Sequence, residues 1–114
     1  MSLTVYLDTP TCPHCGQAPV ALYARNTTHN LIPMAEEAGI YKACWRPEEI
    51  GITKASQLIE PLTVAIATMR ADRPRFEKFN AKNGWGLYIR FLPWLEDYLA
   101  ACKANPTASV SACR

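Results

Sequence analysis

Cys12 and Cys15 stand two residues apart, with Pro13 and His14 between them and Gly16 directly after. This spacing supports two chemistries. In thiol–disulfide exchange, the first cysteine of such a pair sits at a helix N-terminus, where the dipole lowers its pKa and supplies the attacking thiolate. Here Gly16, Pro19 and a β-type run follow the pair, so no helix is expected to begin there, and the rest of the chain lacks an obvious βαβ pattern. As zinc ligands, Cys12 and Cys15 would occupy a hairpin tip, with Gly16 freeing backbone amides to turn toward the sulfurs. A structural zinc takes four ligands, so the remainder must come from His14, His29, Cys44, Cys102, Cys113 or a second subunit. A reduced turn without metal is the third alternative.

Three further constellations suit ligand binding. In Arg25-Asn26-Thr27-Thr28-His29-Asn30, free helix-start amides beside Arg25 and His29 would hold a phosphate or carboxylate, although plain helix capping uses the same residues. Asn83-Gly84-Trp85-Gly86 combines conformational freedom with a large flat ring, suited to a ligand base or a partner, or to a helix cap with a core tryptophan. In Trp45-Arg46-Pro47-Glu48-Glu49 an aromatic ring adjoins a guanidinium that would stack or contact phosphate, or simply pair with its acidic neighbours. There is no Ser-His-Asp set, HExxH, P-loop or dinucleotide fingerprint, and Glu36-Glu37 and Glu48-Glu49 read as solvated helix-start acids. Binding is therefore expected rather than catalysis. Arg25, Asn26, His29, Asn30, Trp45, Arg46, Asn83 and Trp85 are expected to converge on one polar pocket for a nucleotide-like or other anionic small molecule.

The elements that must position these residues follow from local pattern. Leu3-Thr4-Val5-Tyr6-Leu7 and Val20-Ala21-Leu22-Tyr23-Ala24 read as strands of an N-terminal hairpin, with the cysteine pair at its tip. Thr28 or Asn30 caps a helix that Gly39 stops, and Pro33 is tolerated in its first turn. A short helical turn follows over residues 40–45, then a single turn beginning at Pro47. Thr53 is expected to cap a helix whose Leu58, Leu62, Ala65 or Ile66, and Met69 form an amphipathic stripe, kinked or split by Pro61. Asp72-Arg73-Pro74 ends it, and a polar stretch leads to residue 82. Trp85, Tyr88, Leu92, Leu95, Leu99 and Cys102 then share one face of a long helix carrying Pro93. The expectation is one compact α+β domain over residues 1–106, a hairpin packed on about three helical segments. Residues 107–114 are a tail or a short strand added beside the hairpin.

Composition agrees with a packed domain. The chain has 114 residues, of which 49% are hydrophobic and 19% charged, and a length of this order buries roughly two-thirds of the unfolded surface. The net charge of +2 is too small to steer the protein onto nucleic acid or an anionic membrane. No apolar run approaches the roughly 20 residues that span a bilayer, and the N-terminus lacks a signal-peptide pattern, so a cytoplasmic location is expected. Five cysteines, only two of them close together, do not form a disulfide framework.

Asn26-Thr27-Thr28-His29-Asn30, Ala38-Gly39-Ile40-Tyr41, Trp45-Arg46-Pro47-Glu48-Glu49-Ile50-Gly51 and Asn83-Gly84-Trp85-Gly86 together resemble a family of small, uncharacterised bacteriophage and bacterial proteins. The likeness runs from the cysteine pair through Pro106. It implies a protein acting in the cytoplasm of a bacterial host and, by analogy with small phage proteins that blunt host immunity, a counter-defence role. Sequestration of a nucleotide signal at a homo-oligomer interface is one form of that role. A zinc-knuckle module that binds and inhibits a host protein, and a thiol oxidoreductase using Cys12 and Cys15, are the rival expectations.

Overall fold

The computed structural model describes residues 2–9 and 20–114. Leu3, Val5 and Leu7 are fully buried while Thr4 and Tyr6 lie between them on the other face, the period of two that defines a half-buried strand. Each such side chain contributes about 1.5–3 kcal/mol when removed from water. This strand, β1 (Ser2–Asp8), is therefore the centre of the sheet. It pairs antiparallel with β2 (Ala21–Thr28), from Ser2 opposite Thr28 to Leu7 opposite Tyr23, and the register shifts between Leu7 and Asp8. On its other side β3 (Ser109–Cys113) is also antiparallel, giving the order β2-β1-β3. The C-terminal residues are thus a strand of the sheet. Val110 and Ala112 pack toward the core, and Ser109, Ser111 and Cys113 are exposed.

The fold is α+β, and the three helical regions resolve into five α-helices among the described residues. Thr28 Oγ1 accepts from the Asn30 amide at 3.2 Å and opens a 3-10 turn, His29–Leu31, that runs into α1 (Ile32–Glu37). Gly39 ends that helix at φ 73°, and α2 (Tyr41–Trp45) follows. A 3-10 turn over Pro47–Ile50 comes next, then a second over Ala55–Leu58 that leads into α3 (Ile59–Ala71). Thr53 does not cap this segment. Gln57 Oε1 reaches back instead, accepting from the amides of Thr53 at 2.7 Å and Lys54 at 2.9 Å. Pro61 falls in the first turn of α3, where a missing amide costs little, so the break in regularity is the 3-10 turn before it.

The stretch expected to be merely polar after Asp72 contains α4 (Arg73–Glu77), which exists because Pro74 suits a first turn and Phe76 is wholly buried. The long helix α5 (Tyr88–Ala104) continues across Pro93 and buries Tyr88, Phe91, Leu95, Tyr98 and Cys102. Leu92 and Leu99 are only partly buried, and Trp85 precedes the helix. α5 is tied to the sheet through aromatic neighbours. Phe91 meets the Trp45 ring edge at 6.3 Å and stacks near Trp94 at 6.0 Å; Tyr98 stacks on Tyr23 of β2 at 5.8 Å. No helix among the described residues is long and apolar enough to cross a membrane.

Candidate functional site

Two loops meet where β2 ends and α5 begins. The loop before α5 folds on itself: Ala81 N–H donates to the Gly86 carbonyl at 3.0 Å, and Gly84 N–H donates to the Ala81 carbonyl at 3.1 Å. Asn83 Oδ1 accepts from the Trp85 amide at 2.9 Å. Asn30 Nδ2 then donates to the Trp85 carbonyl at 2.7 Å, joining this loop to the 3-10 turn after β2. The two backbones come so close at Gly86, where φ is 127°, that a Cβ there would lie 3.0 Å from Asn30 Cβ. Glycine is required on both counts. The outcome is a Trp85 side chain fixed at its backbone yet 70% exposed.

Beside it lies a half-open cleft of about 670 Å³, lined by Ser2, Asn26, Thr27, Thr28, Asn30, Leu31, Gly84, Trp85, Gly86 and Arg90. That volume is within the range of small-molecule sites, roughly 300–1,000 Å³. Asn26 Nδ2 donates to Ser2 Oγ and Thr4 Oγ1, each at 3.0 Å, which holds the amide rigid and leaves its Oδ1 without a partner among the described residues. Among the described residues no carboxylate lines the cleft. Its basic group is Arg90, and the ion pairs of the described residues make Arg90 distinctive. Arg25, Arg46, Arg70, Arg73, Arg75 and Arg114 each hold a carboxylate within 3.3 Å, whereas Arg90 holds none among the described residues. An unpaired guanidinium beside an exposed indole, in a cleft free of acids, suits a ligand that is both flat and anionic.

Asn26, Asn30 and Trp85 therefore share one cleft. His29 and Asn83 line an adjoining depression with Asn30, Pro33, Phe79 and Lys82. Arg25 borders a third, with Ile89, Arg90, Pro93, Trp94 and Asp97, and is engaged there: its Nε lies 3.3 Å from Asp97, and its guanidinium lies over the Tyr23 ring. Trp45 has a different role from the stacking platform expected of it. It is 1% exposed, and its Nε1–H donates to His29 Nδ1 at 2.9 Å, so the ring is a core post that fixes His29. Arg46 donates to Tyr41 Oη at 3.0 Å and to Glu49 at 2.8 Å, and it lines none of these clefts. Arg90 was not among the residues expected from sequence. The available signal was its place one turn into the helix that Asn83-Gly84-Trp85-Gly86 precedes.

Cys12 and Cys15 lie outside the described residues. Among the described residues no three His, Cys, Asp or Glu side chains group as metal ligands. Two of the cysteines named as further zinc ligands are buried, and burial raises both thiols, Cys102 to about 12 and Cys44 higher still. Comparison with known protein families, curated proteins and solved structures finds no match to this chain.

Proposed function

We propose that this is a small binding protein whose cleft between β2 and the start of α5 takes a nucleotide-like anion, in the setting of phage counter-defence. The observation that carries the reading is Arg90, the one arginine without a carboxylate among the described residues, in an acid-free cleft beside the exposed Trp85. Arg90 pairs with phosphate, through two parallel N–H···O bonds where geometry permits. Trp85 stacks on the base, a contact typically worth about 1–3 kcal/mol. The Asn26 and Asn30 amide oxygens accept from a base's N–H edge. The cleft walls come from two of the quoted motifs, residues 26–30 and 83–86, and sequestration as the purpose of binding is the analogy with small phage proteins.

The test is native mass spectrometry of the freshly purified protein. A discrete organic anion retained by the wild type and lost from Arg90→Ala and Trp85→Ala supports the proposal. An adduct retained equally by all three chains places binding elsewhere and contradicts it.

A further inference from the structure

The two edges of the sheet are treated differently. Beyond β3, the chain covers the first part of its own edge. Val110 N–H donates to the Thr53 carbonyl at 2.9 Å, Lys54 forms a β-bridge with Ser109, and Ala55 N–H donates to the Ala108 carbonyl at 2.9 Å. Beyond β2, no strand or bridge is present among the described residues. Yet β2 is eight residues long and contains neither proline nor lysine, and its bulge at Leu22 falls at the start of the strand, leaving residues 23–28 in regular register. Its one charge, Arg25, sets its Nε against Asp97 of α5 at 3.3 Å and donates through Nη1 to the strand's own Ala24 carbonyl at 2.9 Å. Apolar side chains flank the edge instead: Val20 is 53% exposed, Leu22 46%, and Ile89 of the underlying helix 56%. Ile89 shares a depression with Arg25, Pro93 and Trp94, so an apolar shoulder lies against the strand.

We infer that the protein is a two-fold dimer joined edge to edge along β2. An open strand edge is satisfied by another open edge, and β2 is the long one that each described chain offers, so the natural occupant is β2 of a second copy. Antiparallel pairing of a strand with itself is isologous and closes at two chains, whereas a chain with two open edges would polymerise. The product is a six-stranded sheet in the order β3-β1-β2-β2-β1-β3, with the Ile89 shoulders brought together beneath the seam. Full overlap of β2, Ala21–Thr28, puts the two-fold axis between Ala24 and Arg25. Ala21 and Leu22 of one copy then lie alongside Thr28 and Thr27 of the other. Thr27 and Thr28 line the cleft described above, so each copy adds an apolar wall to its neighbour's site. The dimer does not depend on what that cleft binds.

The test is the mass of the full chain in solution by light scattering, up to about 100 µM. The wild type is expected at twice 12.7 kDa. Leu22→Lys puts a charge at the seam without touching the core and is expected to weaken the dimer at least about tenfold. Ser111→Lys, at the opposite edge of the sheet, is expected to leave it unchanged. Hydrogen exchange on the wild type gives an independent reading. Amides of residues 21–28 are expected to gain protection as concentration rises, and those of 109–113 are not. A wild type that stays monomeric to about 100 µM overturns the inference and leaves the edge to an extended segment of another protein. So does a species larger than two chains, a dimer indifferent to Leu22→Lys, or β2 exchange that ignores concentration.

Discussion

Gly86→Ala tests whether the two loops meet as described. The backbone there has φ 127°, a conformation that costs a residue with a side chain about 1–3 kcal/mol. The new methyl group would also sit 3.0 Å from Asn30 Cβ and 3.3 Å from the Asn30 carbonyl carbon. Crowding of that kind costs about another 1–3 kcal/mol, for a total of about 2–6 kcal/mol. Gly84→Ala, two residues earlier in the same loop, is an internal control. Its φ is 78°, and a Cβ there meets nothing within 4 Å, so only the backbone cost of about 1–2 kcal/mol applies. Urea unfolding followed by circular dichroism measures both variants against the wild type. The difference between them combines the Asn30 contact with the change in backbone cost between φ 127° and φ 78°. Repeating Gly86→Ala in an Asn30→Gly background should return part of its cost, because the nearer of the two carbon contacts is gone. Equal costs for the two alanine variants, or no coupling to Asn30, would refute the close approach on which the cleft is built.

Other perturbations test the frame around the cleft. His29→Ala leaves the buried Trp45 N–H without its acceptor and should cost about 1–3 kcal/mol in urea unfolding; an unchanged midpoint would contradict the Trp45–His29 bond. Tyr98→Phe removes a buried hydroxyl that has no partner among the described residues, so stability should hold or rise by about 1 kcal/mol, and a large loss would show that the hydroxyl is bonded. Burial raises the Cys102 thiol from its ordinary 9.0 to about 12, so the folded chain keeps a proton that the unfolded chain releases. Its contribution is fully present below pH 9.0 and is lost as pH rises toward about 12. The slope is up to about 1.4 kcal/mol per pH unit, and Cys44, Tyr23 and Tyr98 are shifted in the same direction. A stability profile flat from pH 8 to about 11 would contradict that burial.

Much of the scaffold was legible because short-range rules decide it. The apolar Leu3, Val5 and Leu7 marked a strand, Thr28 and Gly39 marked the start and end of a helical stretch, and the stripe from Leu58 to Met69 is buried as its spacing implies. Position in the fold overrode local pattern elsewhere. Trp85 fits the apolar period of α5, but the turns at Gly84 and Gly86 set it before the helix and in solvent. Trp45, next to a charged run, looked equally available and is buried, because α2 packs its side chain against Phe91 of α5. Beyond its place in the first turn of α5, Arg90 carries no local signal of its own. What distinguishes it is that the other arginines find carboxylates, some far away in sequence, such as Glu96 for Arg70 and Glu48 for Arg114. Composition cannot reveal such pairings. Of the eight residues expected at the pocket, Asn26, Asn30 and Trp85 line the cleft with Arg90.

The most direct test of the central claim is a titration of Trp85 fluorescence with a panel of nucleoside mono-, di- and cyclic phosphates, run on the wild type and on Arg90→Ala. Trp85 is the exposed tryptophan, so a base stacked on it should quench its emission. The account predicts saturable quenching by at least one member of the panel, weakened tenfold or more, about 1.4 kcal/mol, in Arg90→Ala. Quenching by no member, or quenching that Arg90→Ala leaves unchanged, would contradict it.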